Sequence, residues 1–170
     1  PVNVFYEEDG SFKAGTVLAD NTTSLQIETA HGKRIKLKAN AVMVRFEGPA
    51  PIPFTEAAQA LAADIDPGFL WEVAPQDEFD YLALGRDYFG HAPTPVESAG
   101  LLLRLHGAPM HFYKKGRGRY RAAPPDSLKA ALASVERKRL QAEAQAAFVE
   151  SLTRFELPDG NAITVEPLLR

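Results

Sequence analysis

Hydrophobic and polar positions alternate in short runs along residues 1–47, and this period of two is typical of β-strands. Val42, Val44 and Phe46 show the alternation most clearly, and turn-forming residues separate the runs. The predicted strands are residues 3–6, 12–19, 24–29, 34–38 and 41–46. So many short strands in so few residues predict a small SH3-like β-barrel over residues 1–47, because a closed barrel leaves no strand edge unpaired.

The pattern changes after a proline-rich linker, which we place at residues 48–54. Beyond it, apolar spacing and breakers predict helices. Their expected positions are residues 55–63, 69–73, 77–89 and 95–105. Thr94, Pro95 and Glu97 give the best helix-start signal, since they match an N-cap, a first-turn proline and a capping box.

A β-hairpin is predicted next, because residues 111–115 and 119–122 flank the glycine-rich tip at residues 116–118. Helices followed by a hairpin with a basic tip predict a winged-helix (helix-turn-helix) domain over residues 55–123. The expected fold class is therefore α+β, with the barrel packed on the domain that follows because it is too small to be stable alone.

A long helix is predicted over residues 124–157, where apolar side chains recur at helical spacing. They are Leu128, Leu132, Val135, Ala142, Ala146, Val149 and Leu152. This helix also offers a surface for pairing with a second copy of the chain. Residues 158–170 hold one β-like run, at 163–165, and we expect them to begin a further domain, so the sequence is interpreted as a fragment.

Composition narrows the class of protein. Hydrophobic residues make up 45% of the chain and charged residues 24%, which is ordinary for a globular protein. No apolar run is long enough to cross a bilayer, so no membrane partner is expected. The absence of cysteine excludes disulfides, thiolate zinc sites and cysteine nucleophiles, and a reducing cytoplasm is the simplest compartment.

The net charge of −3 conceals three charged blocks. Residues 31–48 carry five bases and one acid, residues 56–80 carry seven acids and no Lys or Arg, and residues 104–121 carry six bases and no acid. Two basic blocks separated by an acidic one predict surfaces of opposite sign, which the total charge does not show.

Catalytic chemistry finds no support in the sequence, which lacks a Walker motif, a dinucleotide-binding glycine pattern, a zinc pattern and a nucleophile elbow. Acidic residues do cluster near predicted helix ends, where we interpret them as caps rather than Mg²⁺ ligands. They are Asp64, Asp66, Asp77, Glu78 and Asp80. Asp87 and His91 are four residues apart, and helix-end capping is favoured there over a metal site. No metal or cofactor is expected in these residues.

The first candidate binding surface is the strand at residues 34–38 with Lys33 before it. Strand alternation places Arg34, Lys36 and Lys38 on one face, with Ile35 and Leu37 on the other. Three like charges in a row favour an anion such as a phosphate in front of them. The alternative is a solvated edge strand that lysine protects against aggregation.

The second candidate surface is the predicted hairpin, whose segment KKGRGRYR carries five bases. They are Lys114, Lys115, Arg117, Arg119 and Arg121. Tyr113 and Tyr120 lie among them, and such tyrosines stack on unpaired bases in some nucleic-acid complexes. We include Tyr120 as a candidate RNA contact. The alternative is a soluble turn with both tyrosines in the core of the hairpin domain.

Three segments together resemble a known family. Residues 2–28 (VNVFYEEDGSFKAGTVLADNTTSLQIE), 86–106 (RDYFGHAPTPVESAGLLLRLH) and 113–125 (YKKGRGRYRAAPP) look like the N-terminal region of bacterial ribonuclease II (RNB) family exoribonucleases. The likeness is to the proteobacterial branch that starts with a barrel and a winged helix, where other members carry cold-shock domains.

The resemblance implies processive 3′-to-5′ hydrolysis of single-stranded RNA by a downstream RNB domain, in which clustered aspartates hold Mg²⁺. That aspartate motif is not in these residues, so no catalytic residue is carried over. What the resemblance implies here is a non-catalytic module that gathers RNA, with that RNA and the catalytic domain of the same chain as its partners.

Two other functions stay open. A DNA-binding winged-helix regulator would place residues 94–105 in a major groove, although that segment is poor in side chains that read bases. A protein-interaction adaptor needs no nucleic acid at all, and the acidic block at residues 56–80 favours it.

Overall fold

The computed structural model describes residues 1–155. Contacts divide the chain into two compact units, residues 1–123 and residues 124–170. Within the described residues, the first unit has a five-stranded antiparallel sheet, a small three-stranded sheet and four α-helices, and the second has one long helix. The predicted α+β class is confirmed.

The larger sheet is built from the first 46 residues. Its strands are β1 (Asn3–Glu8), β2 (Ser11–Asp20), β3 (Ser24–Thr29), β4 (Arg34–Lys38) and β5 (Val42–Phe46). They lie in the order β4-β3-β2-β1-β5, so β4 and β5 are the two edges. All five predicted strands are present.

The predicted closed barrel is not found, because no ladder joins β4 to β5 in the sheet of residues 3–46. Only the three-residue 3₁₀ turn Ala39–Ala41 separates these edge strands in sequence. A link this short spans at most about 14 Å, so the sheet curls enough to bring the two edges near each other. It curls without closing, and no strand within residues 1–155 pairs with the outer edge of β4.

The two faces of the sheet bury different side chains, as the alternation along a strand requires. On β1, Phe5 belongs to the main hydrophobic core, whereas Val4 and Tyr6 belong to a smaller core on the other face. Ile35 and Leu37 of β4 also pack in this smaller core. The basic side chains of β4 therefore point away from it.

Four helices follow the sheet. They are α1 (Pro51–Ala63), α2 (Pro67–Val73), α3 (Tyr81–Phe89) and α4 (Pro95–His106). The prediction of a linker through residue 54 and a helix from residue 55 is wrong, because α1 already begins at Pro51. Proline fits the first helical position, where its missing N–H has no partner to lose.

The sheet and the helices share one hydrophobic core. The rings of Phe46 and Phe54 stack with centroids 3.6 Å apart, which joins β5 to α1. Helix α4 crosses α1 closely at Gly100, where an added Cβ would lie 2.5 Å from Cδ2 of Leu61. The change in pattern near residue 48 therefore marks a change of secondary structure inside one compact unit.

The smaller sheet has the order β6-β8-β7, with β6 at Phe79–Asp80, β7 at Phe112–Gly116 and β8 at Arg119–Ala122. The predicted hairpin is confirmed. Strand β6 was not predicted, and because Asp80 caps the next helix, α3 begins at Tyr81 rather than near residue 77.

The second unit contains α5 (Pro125–Thr153), close to the predicted long helix. Arg139 lies near its centre and forms ion pairs with Glu136 at 2.7 Å and Glu143 at 2.9 Å. The predicted start of a further domain at 158–170 lies outside the described residues. Across residues 1–155, no helix combines the length and apolar character needed to cross a membrane.

Candidate nucleic-acid interface

The strongest basic feature is the outer edge of the larger sheet. Arg34, Lys36 and Lys38 are all exposed on β4, while Leu37 between them is buried. The alternation predicted from the sequence is therefore confirmed. Alternate residues of a strand lie about 6.6 Å apart, so the three cations form a regular row. We call Lys33, Arg34, Lys36 and Lys38 the edge ladder.

The edge ladder carries no ion pair within residues 1–155. On the neighbouring strand β3, Glu28 pairs in register with Arg34 and Gln26 pairs with Lys36. Glu28 is thus the one acid opposite the row, and it forms no salt bridge with Arg34 in the described chain. The ladder keeps its charge available for an external anion.

Lys33 stands at the start of the ladder in the β3–β4 turn. Its backbone N–H donates to Oγ1 of Thr29 at 3.1 Å, and its carbonyl accepts from the N–H of Thr29 at 2.7 Å. These bonds fix the backbone and leave the ammonium group exposed. Gly32, with a φ of +82°, supplies the left-handed residue that the turn needs.

Three of the five hairpin bases have partners inside the protein. Lys114 donates to Oε2 of the buried Glu7, Arg117 donates to Oδ1 of Asn40 at 2.6 Å, and Arg119 donates to Oε2 of Glu78 at 2.5 Å. The Glu78 carboxylate raises the pKa of Arg119 through this hydrogen bond.

These pairings change the picture given by the sequence, where all five hairpin bases look equally free. Lys115 and Arg121 remain exposed without an ion-pair partner in residues 1–155. Arg121 lies opposite Tyr113, which is 38% exposed, and Lys115 occupies a bulge in β7. The hairpin therefore offers two free cations and one accessible ring.

Tyr120 does not belong to the exposed surface. Its side chain is 1% exposed in the main core, and its hydroxyl lies 3.4 Å from Nδ1 of His106. Burial raises the pKa of Tyr120, with smaller contributions from Glu7 and Tyr81. A ring in this position is not available for stacking on a base, so Tyr120 leaves the set of candidate contacts.

The hairpin tip sits on the larger sheet. The backbone N–H of Tyr81 donates to the carbonyl of Gly118 at 2.9 Å, and the Tyr81 hydroxyl donates to the carbonyl of Met43 at 2.9 Å. Together with the Arg117–Asn40 hydrogen bond, these contacts hold the tip beside the 3₁₀ turn that follows Lys38. The end of the edge ladder and the hairpin tip are therefore neighbours.

Two of the five acidic residues singled out in the sequence cap helices through their side chains. Asp66 accepts hydrogen bonds from the N–H groups of Gly68 and Phe69, and Asp80 accepts one from Leu82. The predicted capping role is confirmed for these two. Glu78 instead accepts a hydrogen bond from Arg119 of the hairpin. Within residues 1–155, no three His, Asp or Glu side chains come together as a metal-binding group.

Sequence reasoning missed the contacts of the three residues that engage the hairpin bases, and it interpreted one of them, Glu78, as a helix cap. Glu7, Asn40 and Glu78 lie 107, 77 and 41 residues from their partners, so no local spacing identifies them. Glu7 follows the apolar run Val4–Tyr6 on β1, and the sequence does not distinguish it from the exposed Glu8 beside it. Comparison with family models, with curated proteins and with solved structures gave no match.

Proposed function

We propose that residues 1–123 form a non-catalytic RNA-binding module of a ribonuclease II-like 3′-to-5′ exoribonuclease. The curled five-stranded sheet corresponds to an SH3-like fold, and α1 to β8 correspond to a winged helix. The module gathers single-stranded RNA and passes it to a catalytic RNB domain of the same chain. Mg²⁺ chemistry belongs to that domain, and none is assigned to these residues.

The unpaired edge ladder carries this proposal. Phosphates dominate the affinity of proteins for nucleic acids, and each neutralised phosphate releases counterions. A row of cations about 6.6 Å apart on a rigid strand suits the repeating charge of an extended RNA strand better than a single anion. Lys115 and Arg121 extend the surface on the hairpin, beyond the neighbouring tip.

The helix order supports the winged-helix assignment, but the burial of α4 argues against reading of duplex DNA. Ser98, Leu101, Leu102 and Leu105 of this helix are all buried. A recognition helix needs an exposed face to enter a major groove. Phosphate contacts made by strand and hairpin therefore fit the structure better than base contacts made by α4.

A protein-interaction adaptor is the second candidate. The observation that favours it is the engagement of Lys114, Arg117 and Arg119 inside the protein, which lowers the free positive charge of the hairpin. Several apolar side chains of α5 are also exposed. They are Leu132, Val135, Leu140 and Phe148.

Fluorescence anisotropy with a short, unstructured single-stranded RNA tests the proposal. Six free cations give an expected slope of log K against log[salt] of about −4, so raising salt from 50 to 200 mM weakens binding about 300-fold. The triple variant Arg34→Ala/Lys36→Ala/Lys38→Ala removes three cations and is expected to bring the slope to about −2.

A matched control carries the same charge change on α5, as Lys129→Ala/Arg137→Ala/Lys138→Ala. All three of its residues are exposed and have no ion pair within residues 1–155. The control is expected to keep the wild-type affinity and slope. If both triples behave alike, or if the wild type does not bind RNA, the adaptor becomes the leading function.

A further inference from the structure

A cavity of about 600 Å³ lies between the larger sheet and the first turns of α1. Its walls are largely apolar and include Phe12, Ala14, Ile35 and Ile52. This volume falls within the range of pockets that hold small organic molecules. Nothing in the edge ladder or the hairpin accounts for it.

Tyr6 closes one side of the cavity with a fully buried side chain, and its hydroxyl has almost no accessible surface. Charged side chains also belong to the lining, among them Glu8, Lys13, Lys33 and Glu56. The apolar walls are therefore the part of the cavity that suits a flat, uncharged ring.

Lys33 connects the cavity to the edge ladder, because it lines the cavity and also begins the row of cations. The other lysine of the lining, Lys13, is neutralised by Glu8 at 3.0 Å. Lys33 has no such partner in residues 1–155. A phosphate held at this end of the ladder therefore places its own nucleoside at the rim of the cavity.

We propose that the cavity receives one unstacked nucleobase of the RNA strand whose phosphates lie on the edge ladder. This inference rests on the proposed RNA-binding function. Apolar walls accept the flat faces of any base, so binding depends on the presence of a base more than on its identity.

The base and phosphate contributions separate when two strands of equal length are compared. One is an ordinary single-stranded RNA, and the other is an abasic ribose-phosphate strand with the same number of phosphates. We expect the wild type to bind the ordinary strand about 5- to 100-fold more tightly, the effect of stacking one base. The salt slope should be the same for both, because the phosphates are unchanged.

One variant of the cavity lining tests its role without changing the charge, and one variant elsewhere is its control. Leu82→Trp, at a side chain of α3 that is 44% exposed and outside the cavity, is the matched control and should change the affinity for neither strand. Ile52→Trp fills the cavity from a side chain that is 49% exposed, and it should bring the two strands to equal affinity.

The outcomes distinguish the two proposals. If the wild type binds both strands equally with a steep salt slope, the RNA-binding function stands and the base-binding cavity is wrong. If the wild type binds neither strand, both fail. An unchanged preference for the ordinary strand in Ile52→Trp also overturns the cavity proposal, since the base is then recognised elsewhere.

Discussion

Lys114 of β7 donates a hydrogen bond to Oε2 of Glu7 on β1, a residue that is only 9% exposed and lies 107 positions earlier in the chain. The other carboxylate oxygen of Glu7 is buried without a partner in the described structure. The ammonium group of Lys114 is therefore the main compensation for a buried charge. Lys114 therefore stabilises the fold, whereas the neighbouring Lys115 has no ion-pair partner in residues 1–155.

The first prediction is that alanine substitutions at Lys114 and Lys115 have different effects on the free energy of unfolding. Lys114→Ala leaves the Glu7 carboxylate buried and unpaired, so it should lower the free energy of unfolding by about 1–3 kcal/mol. Lys115→Ala removes a solvated charge and should stay within about 0.5 kcal/mol of wild type. Urea unfolding followed by circular dichroism measures both.

The double variant Glu7→Gln/Lys114→Ala controls for the lost charge pair. A neutral amide is cheaper to bury than an unpaired carboxylate, so the double variant should be more stable than Lys114→Ala alone. Equal unfolding free energies for Lys114→Ala and Lys115→Ala would show that the ion pair contributes nothing to folding.

The second prediction concerns the packing of the hairpin tip, at Gly118, against Met43 of the larger sheet. Gly118 has a φ of +68°, and an added Cβ would lie 2.9 Å from both Cε of Met43 and Cδ1 of Tyr81. Gly118→Ala therefore combines left-handed strain of about 1–2 kcal/mol with overpacking of about 1–3 kcal/mol. Thermal or urea unfolding measures the sum.

Gly10 is a matched control for that variant. Its φ is +76°, and an added Cβ would have no neighbour within 4 Å. Gly10→Ala should therefore show the left-handed strain alone and destabilise less than Gly118→Ala. If the two substitutions cost the same, the tip moves away from Met43 without penalty and its contact with the sheet is weak.

The parts of the site that follow from local spacing could be predicted from the sequence. The period of two at residues 34–38 gives the exposed face of β4 directly, because burial of Leu37 forces the neighbouring bases outward. The same rule places Tyr120 opposite to Arg119 and Arg121. Only the three-dimensional structure shows that this opposite side is the core.

The parts that depend on distant residues could not be predicted. The Arg117 side chain is engaged because Asn40 accepts its hydrogen bond, and the hairpin tip is held near the larger sheet in part by the hydrogen bond from Tyr81 to Met43. Both contacts join residues far apart in the chain, so no local sequence pattern reveals them. The open edge of the sheet is a similar case. The strand lengths and the three-residue turn between β4 and β5 fit a closed barrel as well as a curled open sheet. Only the hydrogen-bond pairing of β4 with β5, which is missing in this sheet, distinguishes the two.

The third prediction is a pH dependence at the start of α4. Glu97 accepts from the N–H of Thr94 at 2.9 Å and lies 2.8 Å from Nε2 of His91. The backbone hydrogen bond from Thr94 lowers the pKa of Glu97 below its ordinary 4.5, and His91 adds to the effect. A carboxyl group with a lowered pKa in the folded state stabilises the fold above its unfolded pKa.

This stabilisation is lost as the pH falls below about 4.5 and passes through the lower folded-state pKa. Glu97→Gln keeps the hydrogen-bond acceptor and removes the charge, so at pH 7 it should cost about 0.3–1 kcal/mol. The difference from wild type should shrink on acidification through that window. A difference that stays constant from pH 7 down to the acid limit would assign the whole effect to shape and hydrogen bonding.

The fourth prediction ranks the two basic surfaces. The sequence alone favours the hairpin, which has five bases in eight residues. In the structure, only two of these five side chains, Lys115 and Arg121, form no ion pair or hydrogen bond with the described residues. On β4, the side chains of Arg34, Lys36 and Lys38 are all free in the same sense. Loss of three free cations should flatten the salt slope by about 2, and loss of two by about 1.4.

Anisotropy titrations of Arg34→Ala/Lys36→Ala/Lys38→Ala and of Lys115→Ala/Arg121→Ala over a series of salt concentrations measure this ranking. The edge variant should lose more affinity, and the five-site combination should show roughly the sum of the two slope changes, because each cation acts on a different phosphate. A larger loss from the hairpin pair would mean that the edge ladder is a solvated strand edge. RNA would then be held mainly at the bulge of β7, where Lys115 and Arg121 flank the half-exposed ring of Tyr113.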